Sequence, residues 1–258
     1  AEAGLGEETG WWNSLTGADV NGDGFIDYVA GNVGLNTKYH ATRERPTGIF
    51  YTSIEDNGRY EIIESEFEGD KLYPVRGRSC SSRAMPSLKE KFPTFRDFGA
   101  ALLPEIYSPE KLDKSLHLTA NQLASGVFLN DGKGHFTFRA FPRLAQTSPV
   151  FGIAAADING DGQVDLVLAQ NFSGPQVETG RFDGGLSVML TGNGHGDFTV
   201  VTPQESGIAI SGEARAIAVG DWRGDGWPAM VITRINEGAL ALVPRHAGTG
   251  KAFALKLA

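Results

Sequence analysis

Two stretches place oxygen-bearing side chains at an even beat. They are Asp19-Val20-Asn21-Gly22-Asp23-Gly24-Phe25-Ile26-Asp27 and Asp157-Ile158-Asn159-Gly160-Asp161-Gly162-Gln163-Val164-Asp165. Positions 1, 3, 5 and 9 carry Asp or Asn, and a glycine at position 6 allows a sharp turn. Position 7 (Phe25, Gln163) can add a backbone carbonyl. A flexible loop of hard oxygens suits calcium, which takes six to eight of them at roughly 2.3–2.6 Å. Asx side chains also cap turns with no metal, but two copies with the fourth carboxylate at one offset argue for a shared ligand set. Position 12 is Ala30 or Leu168 rather than glutamate and both flanks read as strands, which excludes an EF-hand.

Two further stretches share the rhythm with poorer donors. Asp221-Trp222-Arg223-Gly224-Asp225 has arginine at position 3 and Ala229 at position 9. A guanidinium there can pair with the carboxylates in place of an ion, so two calcium sites are expected and this third loop is expected to be empty. The run from Ser53 through Glu55, Asn57 and Gly58 to Glu61 reads as a plain hairpin turn on its turn chemistry.

Other chemistry is thinly supported. His40, His117, His135, His195 and His246 fall in no metal-pair or triad spacing, and no residue is nominated as catalytic. There is no P-loop and no nominated cofactor-binding residue besides the metal loops. Arg76, Arg78 and Arg83 beside the single cysteine, Cys80, could grip an acidic sugar; a solvated loop is the plainer reading. Trp11, Trp12, Trp222 and Trp227 are assigned to packing between sheets.

The loops need strands to hold them. Asp19 and Asp157 are 138 positions apart, and Asp221 follows 64 later. Since 138 is near twice 69, the beat implies units of 60–70 residues, the signature of a propeller or solenoid. Around residues 157–165 the order is strand, Asp-rich loop, strand, turn, strand, turn, strand, with a hairpin across Thr191–Gly196. Four strands make one propeller blade. The expected architecture is a single all-β propeller or partial propeller of about four four-stranded antiparallel blades, at 10–68, 69–145, 146–205 and 206–258. The second carries a helical insertion at 86–116, because Ser87–Phe98 and Pro109–Leu116 read as short helices.

Composition narrows the partners. With 31 acidic against 23 basic residues the net charge is −8, the wrong sign for a phosphate-binding surface, so nucleic acid is not expected. No apolar run reaches the ~18 residues of a membrane helix, so no membrane insertion is expected. The 34 glycines fit a fold of many tight turns.

The Asp-rich loops between strands resemble the FG-GAP/VCBS repeats of integrin-α-type propellers. Gly10-Trp11-Trp12-Asn13-Ser14, Gly31-Asn32-Val33-Gly34-Leu35-Asn36-Thr37-Lys38-Tyr39, Ser148-Pro149-Val150-Phe151-Gly152 and Thr179-Gly180-Arg181-Phe182-Asp183 are similar to bacterial relatives of cartilage acidic protein, the ASPIC/UnbV-associated proteins. The resemblance implies calcium in the loops and a secreted, periplasmic or cell-surface location. It implies adhesion, or binding of a protein or glycan ligand, more often than catalysis. Two alternatives stay open: a polysaccharide lyase or hydrolase on a propeller scaffold, and a structural subunit that completes a ring with another chain, since such propellers commonly have seven blades.

Overall fold

A computed structural model describes residues 3–243 of the chain. It forms two compact units. One takes the N-terminal stretch up to Glu7, Trp11–Lys38 and the chain from Leu123 onward; the other takes Glu8–Gly10 and Tyr39–Gln122.

The first unit holds three antiparallel sheets. The first sheet joins β1 (Ser14–Ala18), β2 (Asp27–Gly31), β7 (Gly126–Asn130) and β8 (Phe136–Ala140) in that order. The second runs β9 (Val150–Ala156), β10 (Asp165–Gln170), β11 (Val188–Gly192) and β12 (Phe198–Val201). The third has β13 (Ala214–Gly220), β14 (Ala229–Arg234) and β15 (Glu237–Leu242) among the described residues. A strand expected at Ala252–Leu257 lies outside them.

These sheets pack face to face as propeller blades do. Val20, Val29, Val127 and Phe141 of the first meet Leu166, Leu168 and Leu190 of the second in one core. Ala154, Val167, Ala169 and Met189 of the second meet Ala214, Met230 and Ile232 of the third in another. The middle blade is covered on both sides, so every residue of β10 is buried. Its sequence Asp-Leu-Val-Leu-Ala-Gln accordingly reads as a near-continuous apolar run instead of an alternation.

The second unit has its own sheet, in the order β5 (Lys71–Pro74), β4 (Glu61–Glu68), β3 (Thr47–Thr52), β6 (Leu116–Ala120). Five short helices accompany it: α1 (Arg78–Ala84), α2 (Leu88–Lys91), α3 (Phe95–Ala100), α4 (Leu103–Tyr107) and α5 (Pro109–Asp113). Phe50 and Ile63 of the sheet are buried with Met85, Leu88, Phe98, Leu103, Ile106, Tyr107 and Leu112 of the helical stretch.

The all-β architecture of four antiparallel sheets with a short helical insertion is as expected; among the described residues no closed barrel forms. The allotment of strands is corrected. The expected first blade, 10–68, combined Trp12–Ala18 and Ile26–Gly31 with Thr47–Ser53 and Arg59–Phe67. In the structure β2 instead pairs with β7, Ala30 opposite Gly126 and Tyr28 opposite Phe128. The strands at 47–52 and 61–68 belong to the inserted unit, and the expected 69–145 blade is divided between two sheets. The reason is register: β2 and β7 are separated by the whole insertion, and pairing across such a span leaves no local signal.

Candidate metal centre

Each Asp-rich loop is an eight-residue connection between two directly paired residues. Ala18 faces Asp27, Ala156 faces Asp165, and Gly220 faces Ala229. In the inserted unit Thr52 faces Glu61 across the same length. All four loops turn in the same way, with positive φ at positions 4 and 6: Gly22 and Gly24, Gly160 and Gly162, Gly224 and Gly226, Asp56 and Gly58. Left-handed backbone at two positions is what glycine accommodates without Cβ strain.

The first two loops agree bond by bond. Asp19 Oδ1 accepts the amides of Gly22 (2.8 Å) and Asp23 (3.2 Å), and its Oδ2 accepts Gly24 (2.9 Å). Asp157 does the same for Gly160 (2.7 Å), Asp161 (3.1 Å) and Gly162 (2.9 Å). Asn21 and Asn159 accept the amides of Asp23 and Asp161. Asp23 and Asp161 accept those of Phe25 (2.9 Å) and Gln163 (2.8 Å). The second oxygen of each latter pair accepts the side-chain amide of position 3, Asn21 to Asp23 at 2.8 Å and Asn159 to Asp161 at 2.9 Å.

Position 9 is different in kind. Asp27 and Asp165 are both fully buried. Asp27 accepts Val20 N at 3.0 Å and, from β7, Asn130 N at 2.8 Å. Asp165 accepts Ile158 N (3.0 Å), Asn159 N (3.2 Å) and, from β11, Gly192 N (3.1 Å). Burial pushes both carboxyls above the usual aspartate range; the amides pull the other way, and the neighbouring loop aspartates add repulsion. A cation nearby would favour the charged form at both.

The third loop keeps Asp221 accepting Asp225 N (3.1 Å) and Gly226 N (2.7 Å). Those amides, with Gly226 the largest contributor, draw its carboxyl below the ordinary range. Arg223 pairs with Asp225 Oδ2 at 2.5 Å, the same oxygen that takes the asparagine amide in the other two loops. The guanidinium–carboxylate pair expected from the sequence is formed. In the inserted unit the turn expected at 53–61 shares part of the same bonding. Ile54 N approaches Glu61 Oε2 at 3.4 Å and Arg59 N donates to Asn57 at 2.9 Å, as at positions 2 and 7 elsewhere. Position 1 is Ser53, whose buried hydroxyl has no hydrogen-bond partner.

Of the predicted ligands, Asp19, Asn21 and Asp23 are therefore interlinked through one turn, as are Asp157, Asn159 and Asp161. Asp27 and Asp165 close each loop from beneath. Among the described residues no group of three or more His, Cys, Asp and Glu side chains stands close enough together to hold a metal ion. The carboxylates hold backbone amides, and Asn and carbonyl oxygens would supply the remaining donors. The donor set is all hard oxygen, which fits calcium.

Reasoning from sequence missed Asn130 and Gly192, whose amides hold the position-9 carboxylates. Their signal is that both end a strand just before an Asn/Gly hairpin turn. Arg76 and Arg78 point to different partners. Arg76 pairs with Glu64 at 2.6 Å, while Arg78 donates to Phe92 O at 2.6 Å and lies over the Phe95 ring.

Blades carrying an Asp-rich loop between their first two strands define a β-propeller-type repeat protein. The FG-GAP-like repeat pattern matches residues 118–168, so the chain carries an FG-GAP-like repeat, a type found in extracellular interaction modules. The matched stretch starts within β6 and runs through β7, β8, β9, the second loop and part of β10, two strands out of phase with the sheets of the first unit. No curated protein matches the chain.

Proposed function

We propose that this chain is a calcium-binding interaction module of the extracellular space or cell envelope, with adhesion or ligand binding as its task and no catalysis of its own. What supports this is that the loops at 19–27 and 157–165 share the bonds of positions 1 to 7 and each has a buried position-9 carboxylate that accepts the amide of position 2 and one from the third strand of its blade. Asp19, Asn21, Asp23, the carbonyl of Phe25 and Asp27 would hold one ion; Asp157, Asn159, Asp161, the carbonyl of Gln163 and Asp165 would hold the other. At Asp23 and Asp161 the ion would replace a neutral side-chain amide. Its charge would offset the repulsion among three acids in one turn. Bound calcium stabilises by linkage, about 2.7 kcal/mol per site at one hundred times the dissociation constant.

Calcium titration of the full chain, by calorimetry and by melting with and without chelator, tests the reading. Two ions and a melting temperature raised by calcium are expected. The double variant Asp23→Ala, Asp161→Ala should lose both. A melt indifferent to chelator sinks it.

A further inference from the structure

Four asparagines of the chain are followed by glycine: Asn21-Gly22, Asn57-Gly58, Asn159-Gly160 and Asn193-Gly194. Such a pair can react within itself. Glycine has no Cβ to hold its nitrogen away from the preceding side chain, so that nitrogen can attack the carboxamide carbon, Cγ. The bond formed is N–Cγ and the bond broken is Cγ–Nδ2; the glycine amide proton leaves with Nδ2 as ammonia. Water then opens the cyclic imide at either carbonyl, giving aspartate or isoaspartate.

The four turns share one backbone form. The φ angles of Gly22, Gly58, Gly160 and Gly194 are 73°, 78°, 81° and 70°. Each asparagine Oδ1 accepts the amide two residues ahead, from Asp23 at 3.1 Å, Arg59 at 2.9 Å, Asp161 at 2.8 Å and His195 at 2.8 Å. They differ at the attacking nitrogen. Gly22 N donates to Asp19 Oδ1 at 2.8 Å and Gly160 N to Asp157 Oδ1 at 2.7 Å. These bonds are charge-assisted, and each must break before the nitrogen can give up its proton and turn to Cγ. Gly58 N and Gly194 N have no hydrogen-bond partner among the described residues.

The difference traces to residue type. Asn21 and Asn159 stand at position 3, where the position-1 aspartate gathers the amides that follow. Asn57 stands at position 5. In the other three loops the next amide goes to the position-1 carboxylate, from Gly24 and Gly162 at 2.9 Å and from Gly226 at 2.7 Å. Here position 1 is Ser53, whose hydroxyl has no partner. Asn193 follows β11, which holds no acid to take the Gly194 amide.

We infer that Asn57 and Asn193 are sites of spontaneous deamidation, and that Asp19 and Asp157 shield Asn21 and Asn159 from the same reaction. At Asn57 the aspartate product is the residue that position 5 carries elsewhere, as Asp23, Asp161 and Asp225, so the turn accommodates it. Isoaspartate routes the main chain through the former side chain. At position 193 it displaces the oxygen that accepts the amides of His195 and Asp197 and closes the hairpin.

Peptide mapping by mass spectrometry, on the full chain aged in mildly alkaline buffer with chelator, tests this. The chelator makes the result independent of whether the loops bind calcium. Asn57 and Asn193 should convert at least about tenfold faster than Asn21 and Asn159, the factor expected from breaking one hydrogen bond to a charged group. In denaturant, where all four glycine amides are free, the four rates should draw together. Asp19→Ser, which copies Ser53, should bring Asn21 to the rate of Asn57 and leave Asn159 slow in its own intact loop. Equal rates at all four sites of the folded wild type overturn the inference. So does an Asn57 or Asn193 that ages no faster than Asn21 and Asn159, or an Asn21 that stays slow in the Asp19→Ser chain.

Discussion

Asp27 and Asn130 are 103 residues apart, yet the carboxylate of one accepts the backbone amide of the other at 2.8 Å. The bond joins the Asp-rich loop to the end of β7 and so closes the first blade over an insertion of more than eighty residues. Asp165 and Gly192, 27 residues apart, repeat it at 3.1 Å between β10 and β11. The position-9 aspartate therefore has two tasks, forming the loop's floor and clasping the third strand.

Replacing that clasp should cost stability even without calcium. Asp27→Ala orphans the amides of Val20 and Asn130 in a buried setting, and each unsatisfied group costs about 1–3 kcal/mol. Chemical denaturation in chelator should show the loss. Asp23→Ala, on the exposed side of the turn, should show far less there and should instead lose the calcium response.

The third loop can be converted. Arg223→Asn with Ala229→Asp restores oxygen donors at positions 3 and 9, and the backbone turn is already in place. Calorimetry should count one additional calcium ion relative to wild type. An unchanged stoichiometry would mean that the turn alone does not select the ion.

Gly34 and Gly24 both have positive φ, at 86° and 87°, but their surroundings differ. A Cβ on Gly24 meets nothing within 4 Å, whereas on Gly34 it would stand 2.6 Å from Gln146 O. Gly24→Ala should cost about 1–2 kcal/mol of left-handed strain, and Gly34→Ala distinctly more, as read from paired urea melts.

His117, on an exposed strand, lies flat on Phe50, ring centroids 4.0 Å apart, and the partial desolvation of its ring holds its pKa below the usual histidine value. The protonated form is thus disfavoured in the fold, so the unfolded chain binds more protons between the two pKa values. Stability from this site is complete above the ordinary histidine pKa and is lost as pH falls through the depressed one. His117→Phe should flatten that part of the stability profile.

The inserted unit should be removable. β2 and β7 are adjacent antiparallel strands, so a short Gly/Ser connection in place of 39–122 converts the crossing into a hairpin. The shortened chain should keep its strand signal by circular dichroism and its calcium response. Loss of both would show that the blades depend on the insertion.

The loops were legible because their bonds are local. Asp19 reaches amides three to five residues ahead, so residue type and spacing alone dictate the turn, and Arg223 announced its ion pair in the same way. The fourth loop, at 53–60, was half hidden: its backbone follows the pattern, but Ser53 and Glu55 stand where the first two loops have Asp and Asn. The hairpins of the second blade were equally readable, since β9 to β12 follow one another in both sequence and space.

Contacts between distant segments were another matter. That β2 bonds to β7 and not to β3, that Asn130 serves Asp27, and that Tyr28 is exposed where Leu166, 138 positions on, is buried were settled in three dimensions. Alternation of polar and apolar residues states that a strand has a face to bury, but a period of two is the same whichever sheet supplies the cover. Turn chemistry acts within a few residues and is written in the chain; strand partnership depends on which faces meet, and that choice is made only when the whole molecule packs.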